Sequence, residues 1–420
     1  MSKRTVLSWL RGLRGPMSPI GPMSPISPMS LSLIGLMAFT LSSCDPEPPL
    51  HLYDSVDADF DLPLVDLDLE VYWDYQMDYE IGTSVTYDWH TEWNYDWDET
   101  DLAIFGELGY AEPKVFNLRR YYTGDVPYGP HTTVSAHTLY STRFNGRFDW
   151  GFWDILVWNE ITTLDGVQSL HIDEEASLEQ VVAYTNPSMT PSRYQAPRYT
   201  SSFYEPEALF TAYEEGIEIN RDLRGFDYDA ERNVYIRHLN MRLMPITYIY
   251  LTQVILRHNN GRITAVDGNA NLSGMARSTV LNTGLSGEDA ITVYYNVRMK
   301  KDMPITHPIR GVPAGERTDI VGGRLMSFGL CNTAANSISR ANEVSDPYRH
   351  YMDVTMQFNN GMDSTFVFDV TDQVRERYKG GVLTVVLDMD TVPIPQRKGG
   401  SGFDAVVKDF EDGGTHEFEM

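Results

Sequence analysis

One cysteine thiol stands where the chain could be covalently modified. Leu41, Ser42, Ser43 and Cys44 match the bacterial lipobox, in which small residues admit the signal peptidase and the cysteine thiol accepts a diacylglycerol. Because each buried methylene of an acyl chain contributes about 0.8 kcal/mol, several chains on one cysteine attach a protein stably to a membrane. The sequence therefore predicts a lipid anchor of diacylglycerol and palmitate at Cys44.

The residues before this motif have the layout of an export signal. An apolar stretch over residues 31–39 follows a Pro-rich six-residue repeat and, before it, four bases without any acid, Lys3, Arg4, Arg11 and Arg14. The stretch is shorter than the roughly 20 apolar residues that a membrane span needs. We expect residues 1–43 to be a cleaved signal peptide and residues 44–60 to be a tether. Only Cys331 remains besides Cys44, so no internal disulfide is expected.

Two acid-rich stretches offer the oxygen ligands that Ca²⁺ prefers. They are Asp96, Asp98, Glu99 and Asp101, and Asp227, Asp229 and Glu231. Neither has the glycine and the terminal glutamate of a calcium loop, so solvated loops are the favoured interpretation. The ten histidines are scattered without the spacing of metal ligands. The sequence thus predicts no metal site and no cofactor.

The tryptophans could bind sugars. Trp89, Trp93 and Trp97 share one face of an alternating pattern over residues 85–97 and could form a flat platform on which sugar rings stack. Their alternation with acids favours a core position instead, because a period of two sends one set of side chains inward and the other into water. Trp150, Trp153 and Trp158 do not share one face, so one or two of them are better candidates for an exposed surface.

The composition and the missing motifs exclude several function classes. The 420 residues carry 33 Lys and Arg against 59 Asp and Glu, a formal net charge of -26. Nucleic-acid binding depends on bases that neutralise phosphates, so no nucleic-acid partner is expected. No nucleophile elbow, His-Glu-x-x-His helix, phosphate loop or zinc-type cysteine pair occurs. We therefore predict that the protein is not an enzyme.

Strand patterns dominate the elements that must position these residues. Two hairpins are predicted where strands flank an Asn-Gly step, residues 246–258 with 262–266 and residues 352–358 with 365–370. Further predicted strands cover residues 65–73, 85–97, 152–158, 290–299, 320–328 and 382–389. Helices are predicted only at residues 206–215 and 177–184, and a long exposed loop at residues 300–319. This pattern predicts an all-β protein of antiparallel β-sandwiches.

A shift in composition indicates two domains. Seven of the eight tryptophans lie between Trp73 and Trp158, and none follows. Three prolines among polar residues mark residues 186–198 as a linker. We place a Trp-rich N-terminal β-sandwich at residues 61–190 and a C-terminal β-sandwich at residues 195–420.

Several segments together resemble a known family. Besides the export signal and the lipobox they are Leu64 to Tyr75, Trp150 to Ile155, Asn271 to Ala276 and Asp369 to Val374. They are similar to a family of Bacteroidales lipoproteins whose role is not established and which resembles the fimbrillin and fimbrial-anchor superfamily. The acidic start Cys44 to Glu47 resembles the tags that send such lipoproteins to the cell surface.

The resemblance implies two sandwiches of the fimbrillin or transthyretin type on a surface-exposed outer-membrane lipoprotein. In fimbrillin-like proteins one subunit supplies a strand that completes the sheet of the next. Candidate donor residues are Phe403, Ala405, Val407, Phe418 and Met420. Fimbrial subunits are cleaved after an arginine, and Arg119-Arg120 is the only paired site in the first domain. A buried strand is the expected context there, which favours an uncleaved anchor.

Two functions remain open from the sequence. The first is a non-enzymatic fimbrial anchor, assembly or adhesion component whose partners are the membrane, through its lipid, and fimbrial or other surface proteins, through strand addition. The second is a glycan-binding surface lipoprotein of a nutrient-uptake system that uses exposed aromatic residues. Burial of Trp89, Trp93 and Trp97 would remove the platform that the second function needs.

Overall fold

The structure is a computed structural model. It describes the backbone of residues 64–71, 76–78 and 84–86, and then residues 91–396 except 112, 126, 128, 131, 162–167, 175–177, 179–180, 189–201, 221 and 332–347. The signal peptide, the lipobox, the tether and the candidate donor residues at 403–420 lie outside the described residues. Neither helix in the described part of the chain has the length and apolar character needed to span a bilayer.

Strands make up most of the described chain, and the all-β prediction is confirmed. The strands are β1 (Leu64–Val71), β2 (Gln76–Asp78), β3 (Ser84–Thr86), β4 (Phe116–Gly124), β5 (Thr132–Leu139), β6 (Arg143–Arg147), β7 (Gly151–Asn159), β8 (Leu170–Glu174), β9 (Val181–Thr185), β10 (Ser202–Tyr204), β11 (Phe210–Ile219), β12 (Asp227–Asp229), β13 (Val234–Pro245), β14 (Tyr248–Arg257), β15 (Ile263–Ala276), β16 (Ser278–Val280), β17 (Ala290–Pro304), β18 (Arg317–Ser327), β19 (Tyr351–Phe358), β20 (Asp363–Asp369) and β21 (Gly381–Asp388). The helices are α1 (Glu99–Phe105) and α2 (Thr371–Glu376).

The first large sheet has the order β5-β4-β7-β11-β13-β1-β6, and β12 also pairs with β13. Its core holds Trp153, Ile155 and Val157 of β7 against Phe210 of β11 and Leu243 of β13. Strands β11 and β13 follow residue 195 in the chain, yet they pair with β7 and β1, which precede residue 190. This sheet thus draws on both sides of the boundary expected at 190–195, and the division into two domains there stays a prediction.

The second large sheet has the order β20-β19-β15-β17-β18-β14-β21, with β10 beside β17. Strand β17 pairs with β15 over residues 290–296 and with β18 over residues 297–304. It therefore passes from one layer to the other, which is how a strand makes the corner of a sandwich. Side chains of β14, β18 and β21 meet those of β15, β19 and β20 in one core that includes Tyr250, Leu325, Leu272, Met352 and Phe366.

Small sheets complete the fold. Strands β16, β9 and β8 form a three-stranded sheet, and β2 pairs with β3. Leu170 of β8 and Val181 of β9 pack with Trp158 of β7 on the face of the first sheet opposite Trp153. Most strand pairs are antiparallel as expected, but β1 with β13, β10 with β17 and β14 with β21 are parallel.

Both helix predictions are wrong. Residues 206–215 enter β11, where Phe210 and Ala212 are buried and the strand pairs with β7 across a bulge between Glu214 and Ile217. Gly216, expected to stop a helix, supplies the positive φ of 65° at this bulge. Residues 181–184, the second expected helix, belong to β9. Burial against a neighbouring strand outweighs helix propensity in both segments.

One of the two hairpin predictions is confirmed and the other is wrong. Strands β19 and β20 pair antiparallel around Gly361. Asn260 and Gly261 have the positive φ angles expected of an Asn-Gly turn, but the strands on either side, β14 and β15, lie in opposite layers. Residue types at the turn determine its backbone angles. They do not determine which strands pair, because that depends on how the strands pack in the core.

The loop expected at residues 300–319 is shorter than predicted. Strand β17 extends to Pro304 and β18 begins at Arg317, so residues 305–316 connect them. Ile305 and Val312 in this connection are buried. The connection is therefore partly packed against the protein, and the expectation of full exposure is wrong.

Asp353 on β19 is a buried carboxyl without a hydrogen-bond partner among the described residues. It is 2% exposed, lies opposite Asn271 of β15, and no described residue makes a hydrogen bond with either carboxyl oxygen. Burial raises the pKa of Asp353 to about 7. In the unfolded chain this carboxyl ionises near pH 4, so the folded state holds a proton that the unfolded state releases between about pH 4 and about pH 7.

This difference predicts a pH-dependent stability. Below about pH 4 the carboxyl is protonated in both states and carries no penalty. As the pH rises to about 7, the free energy of unfolding should fall by up to about 4 kcal/mol through this group. We expect Asp353→Asn to remove that loss. The free energy of unfolding of the variant, measured in urea, should therefore rise steadily relative to that of the parent protein between about pH 4 and about pH 7. Asp363→Asn, on the exposed start of β20, is the control, and a gain for Asp353→Asn that stays constant with pH would contradict the assignment.

Candidate functional site

A segment without strands covers the outer face of β14 and β18. We call residues 91–110 the cover segment. Trp93 and Tyr95 are buried against Ile249 and Leu251 of β14 and Ile320 of β18. Gly322 of β18 is required beneath Tyr95, because a Cβ atom there would lie 2.3 Å from the tyrosine ring. The outer face of this layer is therefore buried, like the face toward the sandwich core.

Backbone and amide hydrogen bonds fix the path of the cover segment. Gln253 of β14 accepts a hydrogen bond from the backbone N–H of Asn94 at 2.8 Å and donates to the carbonyl of Glu92 at 3.0 Å. The Asn94 side chain then accepts hydrogen bonds from the backbone N–H groups of Thr306 and His307, at 2.8 and 2.7 Å. These two amides link the cover segment to β14 and to the connection after β17.

A buried ion cluster holds the far end of the cover segment. Asp101 is fully buried and lies 2.9 Å from Arg298 Nη1 and 2.6 Å from Lys300 Nζ. Asp98 lies 3.0 Å from Arg298 and 3.1 Å from Lys300. Tyr95 donates its hydroxyl hydrogen to Asp101, and burial together with this bond raises the pKa of Tyr95. The cluster thus joins three residues of the cover segment to two of β17.

The same acids begin helix α1. Asp98 accepts hydrogen bonds from the backbone N–H groups of Thr100 and Asp101, both at 2.9 Å, and Asp101 accepts one from the N–H of Asp98 at 3.0 Å. This is a capping box. The Asp101 N–H bond, with Lys300 and Arg298, holds the pKa of Asp98 below its usual range.

The acid-rich stretches have different surroundings. Asp98 and Asp101 were expected in a solvated loop, which is wrong, because both are paired with bases. Asp229 accepts hydrogen bonds from the backbone N–H groups of Glu231 and Arg232 in an exposed turn. Arg298 and Lys300 lie about 200 residues from Asp98 and Asp101 along the chain. No local signal in the sequence indicates that pairing.

The tryptophan pattern predicts the buried side chains Trp93 and Tyr95 correctly, but the strand predicted at these residues is wrong. Residues 91–97 are not a strand, although Trp93 and Tyr95 face the core as the alternation predicts. Trp93 is 6% exposed and Trp153 is 2% exposed, so neither ring offers a face to a sugar. Trp97 and Trp150 are partly buried beside these cores. Trp89 lies outside the described residues.

The sandwich of the second large sheet ends in two edge strands of different character. Strand β21 pairs with β14 alone, and its free side is occupied at the middle by Gln373 of α2. The Gln373 amide donates to the carbonyl of Thr384 at 2.9 Å and accepts from its N–H at 2.8 Å, as a neighbouring strand would. Strand β20 pairs with β19 as its single strand neighbour in the described part of the chain. We call the side of β20 that faces away from β19 the outer edge of β20.

The C-terminal segment leaves the sandwich beside β20. Arg262 donates hydrogen bonds to the carbonyls of Met389 and Val392, and Asn360 donates one to the carbonyl of Pro395 at 2.6 Å. Asn360 lies in the turn that joins β19 to β20. Residue 396, the last that the structure describes, therefore lies close to the start of β20, and the candidate donor residues follow it in the chain.

Arg119 and Arg120 lie in the middle of β4, between β5 and β7. Arg119 binds Glu174 at 2.7 Å, and the Arg120 guanidinium lies 4.7 Å from the Phe148 ring centre. A protease would have to displace a strand to reach this pair. The expected strand context is thus what the structure has.

No protein-family model and no curated protein matches the chain. Solved structures do match. A candidate adhesin from Bacteroides ovatus is 14% identical with a TM-score of 0.45, over 80% of this chain and 96% of that chain. A candidate polysaccharide-binding protein from Bacteroides thetaiotaomicron is 9% identical with a TM-score of 0.39, over 79% and 94%. The fimbrial anchor protein Mfa2 from Porphyromonas gingivalis is 12% identical with a TM-score of 0.37, over 77% and 90%.

The fimbrial anchor is of the kind that the resemblance to the fimbrillin and fimbrial-anchor superfamily names, and the other two neighbours are a candidate adhesin and a candidate polysaccharide-binding protein. Each is below 25% identity and below a TM-score of 0.5. The likeness is therefore too distant to carry a role, a ligand or a site from any of them to this chain.

The ion cluster predicts a large loss of stability when one member is removed. Asp101→Asn leaves Arg298 and Lys300 with only Asp98 to balance their charge, and breaking a buried pair on one side costs about 3 kcal/mol. Urea unfolding followed by tryptophan fluorescence measures this loss, because Trp93 and Trp97 lie in the cover segment. Asp96→Asn, an exposed acid of the same segment, should change the free energy of unfolding by less than about 0.5 kcal/mol. Equal losses in the two variants would rule out the role given to the cluster.

Proposed function

We propose that the protein is a non-enzymatic lipoprotein, anchored in the outer membrane by acylated Cys44 and exposed at the cell surface, where it serves as a fimbrial anchor, assembly or adhesion component. It binds its partner by strand addition. The observation that supports the proposal most directly is that β20 has one strand neighbour among the described strands and lies next to the exit of the C-terminal segment. The lipobox and the export signal supply the anchor.

Strand addition suits this edge physically. An edge strand presents unpaired backbone N–H and C=O groups, and an added strand satisfies them while its alternate side chains enter pockets. On β21 the Gln373 amide already binds the backbone of Thr384, so an added strand would find fewer open backbone groups there. On β20, Phe366 and Phe368 point into the core and Val367 is only partly buried on the outer face. An incoming strand would thus extend a layer whose own core is already complete.

The C-terminal segment is the proposed donor. Phe403, Ala405 and Val407 alternate with other residues, as do Phe418 and Met420 with acids, which is the pattern of a strand with one apolar face. Pro395 lies beside the turn that precedes β20, so the residues that follow in the chain can reach either the outer edge of β20 in their own molecule or the same edge of a neighbouring copy or partner subunit. If the C-terminal segment of each molecule binds the β20 edge of the next, the molecules are linked in a row.

Glycan binding remains the second candidate. The buried rings of Trp93 and Trp153 speak against the tryptophan platform. Tyr228 and Tyr235 favour another surface, because they are cross-strand partners on β12 and β13, 54% and 37% exposed, with ring centres 5.0 Å apart. Exposed neighbouring aromatic rings offer faces on which a sugar can stack. This surface lies in the first large sheet, so it is independent of the β20 edge.

The anchor is tested by acylation in the bacterium. Labelled palmitate should enter the parent protein and should not enter Cys44→Ser, which removes the thiol that accepts the diacylglycerol. The parent protein should fractionate with the outer membrane and the variant should not. Cys331→Ser is the control, because that cysteine is buried in the fold and should leave labelling unchanged. Label in Cys44→Ser, or none in the parent protein, would exclude the lipid anchor.

Strand addition is tested by photo-crosslinking on intact cells. A photoreactive amino acid at Val367 on β20 should give crosslinked species larger than the monomer, and removal of residues 401–420 should abolish the species that join two copies. The same probe at Tyr140, an 82% exposed residue after β5, is the control for chance contact. Crosslinks that form equally from both positions, or only glycan-dependent binding lost with Tyr228→Ala, would decide against strand addition.

A further inference from the structure

Three side chains that could bind a metal meet at one end of the second sandwich. Strands β14 and β21 run parallel, with Arg257 opposite Asp388. Both strands therefore leave the sheet at the same end. His258 follows the last residue of β14, Asp388 is the last residue of β21, and Asp390 lies in the turn after it. The three residues are brought together by this register, although about 130 residues separate His258 from the acids.

The donor atoms lie at distances that one ion can span. His258 Nδ1 is 2.9 Å from Asp388 Oδ1 and 3.6 Å from Asp390 Oδ2, and all three donor atoms lie within 4.8 Å of one another. Bonds from Zn²⁺ to nitrogen and oxygen are about 2.1 Å, so two donors on one ion lie about 3.0–3.4 Å apart at angles near 90–109°. The approach of Asp390 adds a third donor atom beside the His258–Asp388 pair.

The surrounding backbone holds the two acids in place. Asp388 Oδ1 accepts a hydrogen bond from the N–H of Asp390 at 3.1 Å, and the Thr391 hydroxyl donates to the carbonyl of Asp388 at 2.7 Å. Met389 donates its N–H to the carbonyl of Arg257 at 2.9 Å, which continues the pairing of the two strand ends. The turn that carries Asp390 is therefore fixed relative to His258.

The local charge favours a cation. With a neutral imidazole the three ligands carry two negative charges. Arg257 is the nearby base, and its guanidinium is already bound to both carboxylate oxygens of Glu316, at 2.9 and 3.1 Å. The His258 side chain is 43% exposed and that of Asp390 is 66% exposed, so an ion can enter from solvent and keep water on its open positions.

We propose that His258, Asp388 and Asp390 form a binding site for a divalent transition-metal ion, with Zn²⁺ the best match. An imidazole nitrogen with two carboxylates suits zinc and its neighbours in the first transition row, whereas Ca²⁺ and Mg²⁺ prefer oxygen ligands alone. The ion joins the free ends of β14 and β21. It thereby stabilises the edge strand that Gln373 also protects, and the site is independent of the lipid anchor and of strand addition.

The test uses the untagged full-length protein in detergent after treatment with a chelator. Titration calorimetry with zinc chloride should show one ion bound per chain, and the melting temperature should rise with zinc. His258→Ala and Asp390→Asn should each weaken zinc binding at least tenfold, and calcium chloride should bind more weakly than zinc. Circular dichroism on each variant checks that the fold is kept.

His238→Ala is the matched control. His238 Nε2 lies 3.4 Å from Asp227 on the other large sheet, so this pair has an exposed histidine and a carboxylate, and among the described residues it belongs to no group of three metal-binding side chains. The variant should bind zinc as the parent protein does. Three results would overturn the proposal: no binding of zinc by the parent protein, unchanged binding after His258→Ala, or an equal loss after His238→Ala.

Discussion

The pairing of buried Asp101 with Arg298 and Lys300 is the interaction on which the second sandwich depends. A carboxylate without exposure is costly unless cations and hydrogen bonds compensate it, and here two bases and the Tyr95 hydroxyl face it. Together with the hydrogen bonds of Gln253 and Asn94, the pairing fixes the cover segment over β14 and β18. Without the cover segment, Ile249, Leu251 and Ile320 would present an apolar face to water. An ionic contact therefore controls how much hydrophobic surface the layer can bury.

The layer of β14, β18 and β21 is covered on its outer face and at its edge, and this limits where the sandwich can pair with another strand. The layer of β14, β18 and β21 has its outer face under the cover segment and its β21 edge under Gln373. Strand β20, at the edge of the layer of β15, β19 and β20, has β19 as its single strand neighbour among the described strands. The two edges are therefore chemically different, although both belong to the same core. Under the proposed strand addition, backbone pairing is directed to the outer edge of β20.

The sequence predicts the local features of this fold well. The strands predicted at residues 65–73, 152–158, 320–328 and 382–389 lie within three residues of the observed bounds of β1, β7, β18 and β21. For β1 the signal is period-two alternation, because a strand places successive side chains on opposite faces. It also places Trp93 and Tyr95 on a buried face, although those residues are not in a strand. Alternation of apolar and polar residues indicates which side chains are buried. A segment that lies on a sheet without pairing with it can have the same alternation as a paired strand.

What the sequence could not give are the contacts made across the chain. Asn260 and Gly261 form the turn that their types predict, yet β14 and β15 separate into opposite layers because each finds a longer partner elsewhere, β14 with β18 and β15 with β17. The same separation brings His258 beside Asp388, since only a parallel pairing of β14 with β21 aligns those two strand ends. The Gln373 amide on Thr384 and the Arg298 and Lys300 pairing arise in the same way. Residues that act through such contacts have no motif, because their spacing is set by the topology and not by the local chain. The candidate functional residues of this protein, unlike its strands, therefore become visible only when the order of strands in the sheets is known.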